Sequence, residues 1–374
     1  MLTVVIAACR MTSPHSISPA DPRLLWPGSI SLETTADGHL VPWRIPHTRR
    51  TLFPSYESWG DLSYVASLVS GVRIVFVSDT CSLAVRQAVV ETPRPLDVCC
   101  DGQLVASLTP DAAGWFRCDD LPAGKKRMEL WLPQGVRFEL CELILSPGAR
   151  VERALDSRPR WLSYGSSITQ ASGATSPTQT WSAIVARAHD VNLTNLGFSG
   201  HCQLEPMIAR LIRDRPLDAL SICAGANSYD GALTLRTFRS AIIGFVQIVR
   251  EKHPGIPLAL ISPIISTPRE TTPNAAGWTL PLMREEVAAA AQALQEHGDD
   301  NLFYVSGLDL LGATDTALLP DNVHPNADGY RLLGARFNSL VAPRLFASLP
   351  RNQGGELRAP SLGIADVAVG ISRG

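Results

Sequence analysis

The chain of 374 residues reads as two units of different class. An antiparallel, jelly-roll-like β-sandwich is expected over residues 23–149, and a three-layer α/β/α unit with a parallel sheet over 161–348. Three observations predict this. Short strand-like runs separated by turn signals fill the first unit. Beyond residue 160, strand-like runs alternate instead with helical stripes, the pattern of a parallel sheet covered on both faces. Between the two, residues 150–160 combine Pro159 with Arg150, Arg153, Arg158 and Arg160, which reads as a polar linker.

In the first unit the strand candidates are residues 30–34, 71–78, 83–90, 96–100, 103–108, 128–132 and 136–145. Asp37-Gly38 and Asp101-Gly102 lie between such runs, where a two-residue hairpin needs backbone at positive φ. Met128, Leu130 and Leu132 alternate with Glu129 and Trp131, so one face is expected to be apolar and the other to carry an exposed aromatic. In the second unit the strand candidates are residues 161–164, 192–196, 219–223, 258–261 and 303–305. Ile242, Phe245, Val246 and Val249 follow an i, i+3, i+4, i+7 stripe. Residues 283–295, rich in Ala, Leu, Glu and Gln, are good helix formers. Both stripes are expected to face the core. The glycine-rich tail from residue 350 has no sustained periodicity and is expected to be disordered.

Composition narrows the function. The formal net charge is -2 with 18% charged residues, which leaves no electrostatic footprint for nucleic acid. A neutral or uncharged-looking substrate fits better. The eight cysteines form no CxxC pair or zinc-type spacing, so free thiols in a reducing compartment are expected, with disulfides among the six in the first half as the alternative. Residues 2–9 are apolar, but no Lys or Arg precedes them, and the run is far shorter than the ~20 residues of a spanning helix. Residues 1–22 are therefore read as an irregular leader of a cytoplasmic protein, with a secreted or lipid-anchored chain as the alternative. No membrane span is expected. The glycine-rich turns lack a phosphate-loop Lys-Ser/Thr continuation and no histidine pair has metal-ligand spacing, so neither a cofactor nor a metal is expected.

Four segments carry chemistry. Residues 161–170 (WLSYGSSITQ) run from a strand into a serine-bearing turn. Residues 195–200 (NLGFSG) and 225–229 (GANSY) supply Gly200 and Asn227, and residues 321–325 (DNVHP) supply Asp321 and His324. Asp321 stands three residues before His324, close enough to hold one imidazole nitrogen while the other takes a serine proton. Taken singly, a Ser-Gly turn, a turn glycine and a turn asparagine are common structural features. Taken in order at strand ends, where open α/β sheets bind ligands, they form a constellation.

In that order the four segments resemble the SGNH/GDSL family of serine esterases and acyltransferases, over residues 158–345. The resemblance implies a flavodoxin-like α/β domain and an acyl-serine intermediate. It makes Ser167 the nucleophile, with Ser166 standing where the family usually has aspartate and competing for the role. It implies Asp321 and His324 as the rest of a triad, and the Ser167 N–H, the Gly200 N–H and the Asn227 side chain as the oxyanion hole. Ser228 replaces an aspartate common in relatives. His189 and His201 match no base position and are expected to be structural. The partners implied are a small-molecule or carbohydrate ester, or an acyl donor and a hydroxyl acceptor. The combination of sandwich and GSSIT-type domain also looks like the acyltransferases of this family that tailor polyketides.

A carbohydrate-binding protein with an inactive hydrolase-like domain is the rival reading, in which Trp115 or Trp131 would offer a stacking face. Residues 266–281, rich in proline, are expected to form a long loop lining the substrate site. Trp43-Arg44 and the arginines of 150–160 are expected to present aromatic and polar surface beside the catalytic unit.

Overall fold

The computed structural model describes residues 15–349, apart from 55, 58–59, 89–90 and 231–232. The apolar run at 2–9, Cys9 and the tail from residue 350 lie outside the described residues.

The first part of the chain contains strands β1 (His15–Ile17), β2 (Ser31–Thr34), β3 (Leu40–Trp43), β4 (Tyr56–Glu57) and β5 (Gly60–Asp61), then the short helix α1 (Leu62–Ser67). Strands β6 (Arg73–Ser78), β7 (Leu83–Gln87), β8 (Leu96–Cys100), β9 (Gln103–Leu108), β10 (Trp115–Cys118), β11 (Lys126–Trp131), β12 (Leu140–Leu145) and β13 (Val151–Glu152) follow. β4 and β5 pair only with each other; the other strands form two antiparallel sheets, β10-β7-β12-β3-β2 with β1 added on β12, and β13-β6-β11-β8-β9. Asp101 and Gly102 both take positive φ, at 48° and 79°, and pair Cys100 with Gln103, as a tight hairpin requires. Between the sheets lies an apolar cluster with Ile74, Phe76, Val85, Phe116, Leu130 and Leu143.

The second part alternates β14 (Arg160–Gly165), α2 (Ser167–Gln170), α3 (Trp181–Ala188), β15 (Asn192–Gly197), α4 (Pro206–Arg213), β16 (Ala219–Cys223) and α5 (Phe238–Arg250). It continues through β17 (Leu258–Ile261), α6 (Thr267–Thr271), α7 (Leu280–Glu296), β18 (Leu302–Val305), α8 (Gly307–Leu310), α9 (Ala327–Leu340) and α10 (Ala342–Leu345). Five parallel strands run in the order β15-β14-β16-β17-β18, the flavodoxin-like arrangement whose switch point lies between the first and third strands. Successive strand residues face opposite layers. Leu162, Tyr164, Leu220 and Leu258 meet α4, α5 and α7 in one core, while Trp161, Leu193, Ala219 and Phe303 meet α3, α9 and α10 in another. The helical stripe Ile242, Phe245, Val246 and Val249 is buried as expected.

Several expectations need correction. The leader contributes strand to the fold, because His15–Ile17 pairs with β12. The stretch read as a linker carries β13, which pairs with β6. Its arginines are tied down as well: Arg158 contacts Asp156 and Glu129, Arg160 contacts Asp218, and Arg153 donates to the Pro22 carbonyl. Trp131 is buried, with the Arg73 guanidinium 4.6 Å from its ring. That face of the sandwich packs against the α/β half, so alternation marked two buried faces and no exposed aromatic. Trp43 and Arg44 are likewise interior. Val41, Trp43, Ile45, Leu62 and Val65 share one core with α4, α5 and α7.

Candidate active site

The site forms where β14, β15 and β16 end. β14 turns after Gly165 directly into α2, and Ser166 is the helix N-cap, its Oγ accepting the Ile168 N–H at 3.3 Å. Ser166 is buried and occupied in capping. Ser167, the first helical residue, is half-buried, and its Oγ lies 2.7 Å from Nε2 of His324. Its backbone N–H lies in the first turn, where a helix provides no internal acceptor. Such a sharp turn needs close packing. A Cβ on Gly197, at the end of β15, would come within 2.2 Å of the Gln170 N, so only glycine lets β15 approach α2 this closely.

His324 belongs to a turn built by Asp321. Asp321 Oδ1 accepts the backbone N–H of Val323 at 3.0 Å and of His324 at 2.7 Å, and its Oδ2 lies 2.6 Å from His324 Nδ1. Asn322 takes positive φ, 64°, a conformation that asparagine tolerates. Burial pushes the Asp321 carboxyl up, but the bonds from His324 and Val323 outweigh it and hold the group down at about 2. Asn326 then caps α9 by accepting the Gly329 N–H at 2.9 Å, and the buried Tyr330, Leu333 and Phe337 fix that helix to the core. The helix thus starts three residues after His324.

Gly200 follows β15 with φ 74°, a left-handed conformation that disfavours side chains. Asn227 follows β16, and its Oδ1 accepts the Cys202 N–H at 3.1 Å, which leaves Nδ2 as the donor end of the amide. Gln203 ties the two loops together, its Nε2 lying 3.4 Å from the Gly200 carbonyl and 3.3 Å from that of Asn227. Beneath it, Tyr164 donates to Glu205 at 2.8 Å and accepts the Leu204 N–H at 3.1 Å. Burial pushes the Glu205 carboxyl up. Sequence reading missed Gln203, Glu205 and Tyr164, because the contacts Gln203–Asn227 and Tyr164–Glu205 span 24 and 41 positions of chain and nothing in local spacing announces them.

The structure therefore brings Ser167, His324 and Asp321 into one hydrogen-bonded chain, with Gly200 and Asn227 on the neighbouring strand ends. Ser166 has no part in that chain. His201 is buried, and His189 packs on Phe346 at 5.2 Å. The proline-rich stretch contains α6 rather than an unstructured loop. It folds over the Asn227 segment: Arg269 donates to the Ala226 carbonyl at 3.2 Å and lies 4.7 Å from the Tyr229 ring, and Tyr229 donates to the Thr272 carbonyl at 2.8 Å. Among the described residues, no group of three or more His, Cys, Asp or Glu is arranged to hold a metal ion. No helix among them is long and apolar enough to cross a membrane.

Residues 160–341 match the GDSL-like lipase/acylhydrolase family, and residues 24–141 match the SsfX3 N-terminal domain. Among solved structures, the chain is similar to a salicylyl-acyltransferase, SsfX3, from a tetracycline biosynthetic pathway, at 35% identity with a TM-score of 0.81, over 90% of this chain and 98% of that one. A family two carbohydrate esterase from Cellvibrio japonicus shares the fold at 15% identity and a TM-score of 0.60, over 90% of this chain and 99% of that one. A family two carbohydrate esterase from Clostridium thermocellum, solved with cellohexaose, does so at 16% identity and 0.53, over 74% and 94%. A comparison with curated proteins gives no match.

Proposed function

This chain belongs to the GDSL-like lipase/acylhydrolase family, and from that premise we propose that it transfers an acyl group from a small-molecule donor to a hydroxyl acceptor through an ester on Ser167. The observation that carries the reading is the unbroken chain Ser167 Oγ, His324, Asp321, with links of 2.7 and 2.6 Å.

In the first half-reaction Ser167 Oγ attacks the donor carbonyl as His324 Nε2 takes its proton. The carbonyl oxygen becomes an oxyanion, met by the Ser167 and Gly200 N–H groups and the Asn227 Nδ2 donor. Collapse expels the donor's leaving group, which takes the proton from His324, and the acyl group stays on Ser167. In the second half-reaction His324 deprotonates the acceptor hydroxyl, which attacks the ester; Ser167 leaves with the returned proton. Asp321 keeps its charge throughout, accepting from Nδ1–H and stabilising the imidazolium.

Transfer as the outcome draws support from the likeness to a salicylyl-acyltransferase over nearly the whole of that chain. Hydrolysis is the second reading, favoured by one observation: the His324 side chain is 45% exposed, so water can reach the general base. The same residues serve both, and exclusion of water decides between them. A serine-reactive phosphonate tests the nucleophile. Label on Ser167, lost in Ser167→Ala, is expected; label mapping to Ser166 would sink the assignment. Adding small alcohols during turnover of an activated ester separates the outcomes: new ester product indicates transfer, and free acid alone indicates hydrolysis.

A further inference from the structure

Arg44, just after β3, is completely buried. Among the described residues it meets no carboxylate at ion-pair distance, and burial pushes its guanidinium down to about 9. A charge so placed needs its donors satisfied, and Arg44 spends them on two different parts of the chain. On the N-terminal side Nε donates to the Leu68 carbonyl at 2.7 Å and Nη2 to the Val65 carbonyl at 2.8 Å. On the α/β side Nη1 donates to the Gly197 carbonyl at 2.5 Å and lies 3.4 Å from that of Asn195. The guanidinium also sits 4.9 Å from the centre of the Phe198 ring.

Gln170 completes the arrangement. It is the last residue of α2, the helix that Ser167 begins. Its Oε1 lies 3.5 Å from Arg44 Nη2 and accepts the backbone N–H of Ser199 at 3.1 Å. Its own carbonyl accepts from Ser70 Oγ at 2.8 Å. The residue after Ser199 is Gly200. One buried pair thus touches the nucleophile's helix, the end of β15, the segment leading to the candidate oxyanion donor, and the N-terminal half.

We propose that Arg44 and Gln170 are positioning residues that hold the Gly197–Gly200 segment in register with Ser167, so that the oxyanion geometry is set partly from the N-terminal half. The inference rests on the reading of Gly200 as an oxyanion donor. Its physical basis is the sensitivity of catalysis to placement: an error of about 1 Å costs on the order of 10²-fold in rate. Neither side chain is a catalytic residue, since each acts through backbone that it anchors.

The test uses the full chain with Gln170→Met, which keeps the volume and removes the acceptor, Gln170→Glu, which keeps the acceptor, and Arg44→Lys, which keeps the charge and loses the fork. Amide hydrogen exchange over residues 199–203 and steady-state turnover of an activated ester are measured together. Gln170→Met and Arg44→Lys are expected to speed exchange in that segment and to lower kcat by about 10- to 100-fold with KM little changed, while Gln170→Glu restores most of both. If one variant fails to fold, the other still decides. Unchanged exchange in the folded variants overturns the inference, as does a loss of thermal stability with wild-type kcat. Ester turnover that survives Ser167→Ala would instead refute the proposed function, and exchange would still report on the positioning.

Discussion

At the scale of single residues, Asn227, Asn322 and Asp321 each fix part of the site's geometry. Asn227 presents Nδ2 because its Oδ1 is held by the Cys202 N–H. As an oxyanion donor it should lower kcat by about 10²–10³-fold when changed to alanine; unchanged kcat with a raised KM would reassign it to ground-state binding. Asn322 occupies left-handed backbone between Asp321 and His324. A β-branched residue there faces a penalty of about 1–2 kcal/mol, so Asn322→Val should lower both thermal stability and kcat, while Asn322→Gly stays near wild type. Equal kinetics for the two would show that the turn does not set the imidazole. The pH behaviour follows from Asp321, held at about 2. Its carboxylate stays ionised above about pH 4, so Asp321→Asn should lower kcat at neutral pH, by about 10⁴-fold on the serine-protease precedent.

At the scale of elements, the seam between the sandwich and the parallel sheet includes an ion network. Asp156 contacts Arg158 at 2.7 Å and Arg127 at 2.9 Å, and Arg158 reaches Glu129 at 2.9 Å. Burial pushes the Asp156 carboxyl up, but the arginines hold it down at about 2, against 3.8 for the free group. A depressed carboxylate contributes stability that is full above the unfolded pKa and lost as pH falls through the folded one, here between about pH 4 and 2. That lowering is worth about 2 kcal/mol. Urea melts of Asp156→Asn should therefore show a flatter fall in stability across this window than wild type, and parallel curves would remove the network from acid stability.

The sequence made elements legible where periodicity and burial agree. β8, β9, β16 and β17 lie where alternation or short apolar runs placed them, and the α5 stripe is buried. It failed where one strand faces two cores. Trp131 and Glu129 read as an exposed face, but the α/β half covers them, which no local pattern encodes. β3 and β10 went unread: the apolar run of β3 is interrupted by Pro42, and β10 is only Trp115–Cys118. The candidate site was legible because its residues sit in short segments, whereas Arg44, Gln170 and Gln203 act across 24 to 153 positions of chain and have no signature of their own.

At the scale of the whole molecule, the two halves share their interior. The core beneath α4, α5 and α7 includes Val41, Trp43, Ile45, Leu62 and Val65 from the N-terminal half, and the opposite core includes Cys99 and Trp131. A chain beginning near Ser157 would expose these surfaces and lose Arg44. It should lack a cooperative thermal transition and turn over even a small activated ester poorly. A folded fragment with full turnover would show instead that the halves are independent.

An acyl group carried on Ser167 can be trapped by rapid acid quench of the enzyme with an activated acetate ester, followed by peptide mapping. Acetylation confined to Ser167, appearing before steady state and absent in Ser167→Ala and His324→Ala, is expected. Acetyl on Ser166, or continued turnover in Ser167→Ala, would rule out the acyl-Ser167 intermediate.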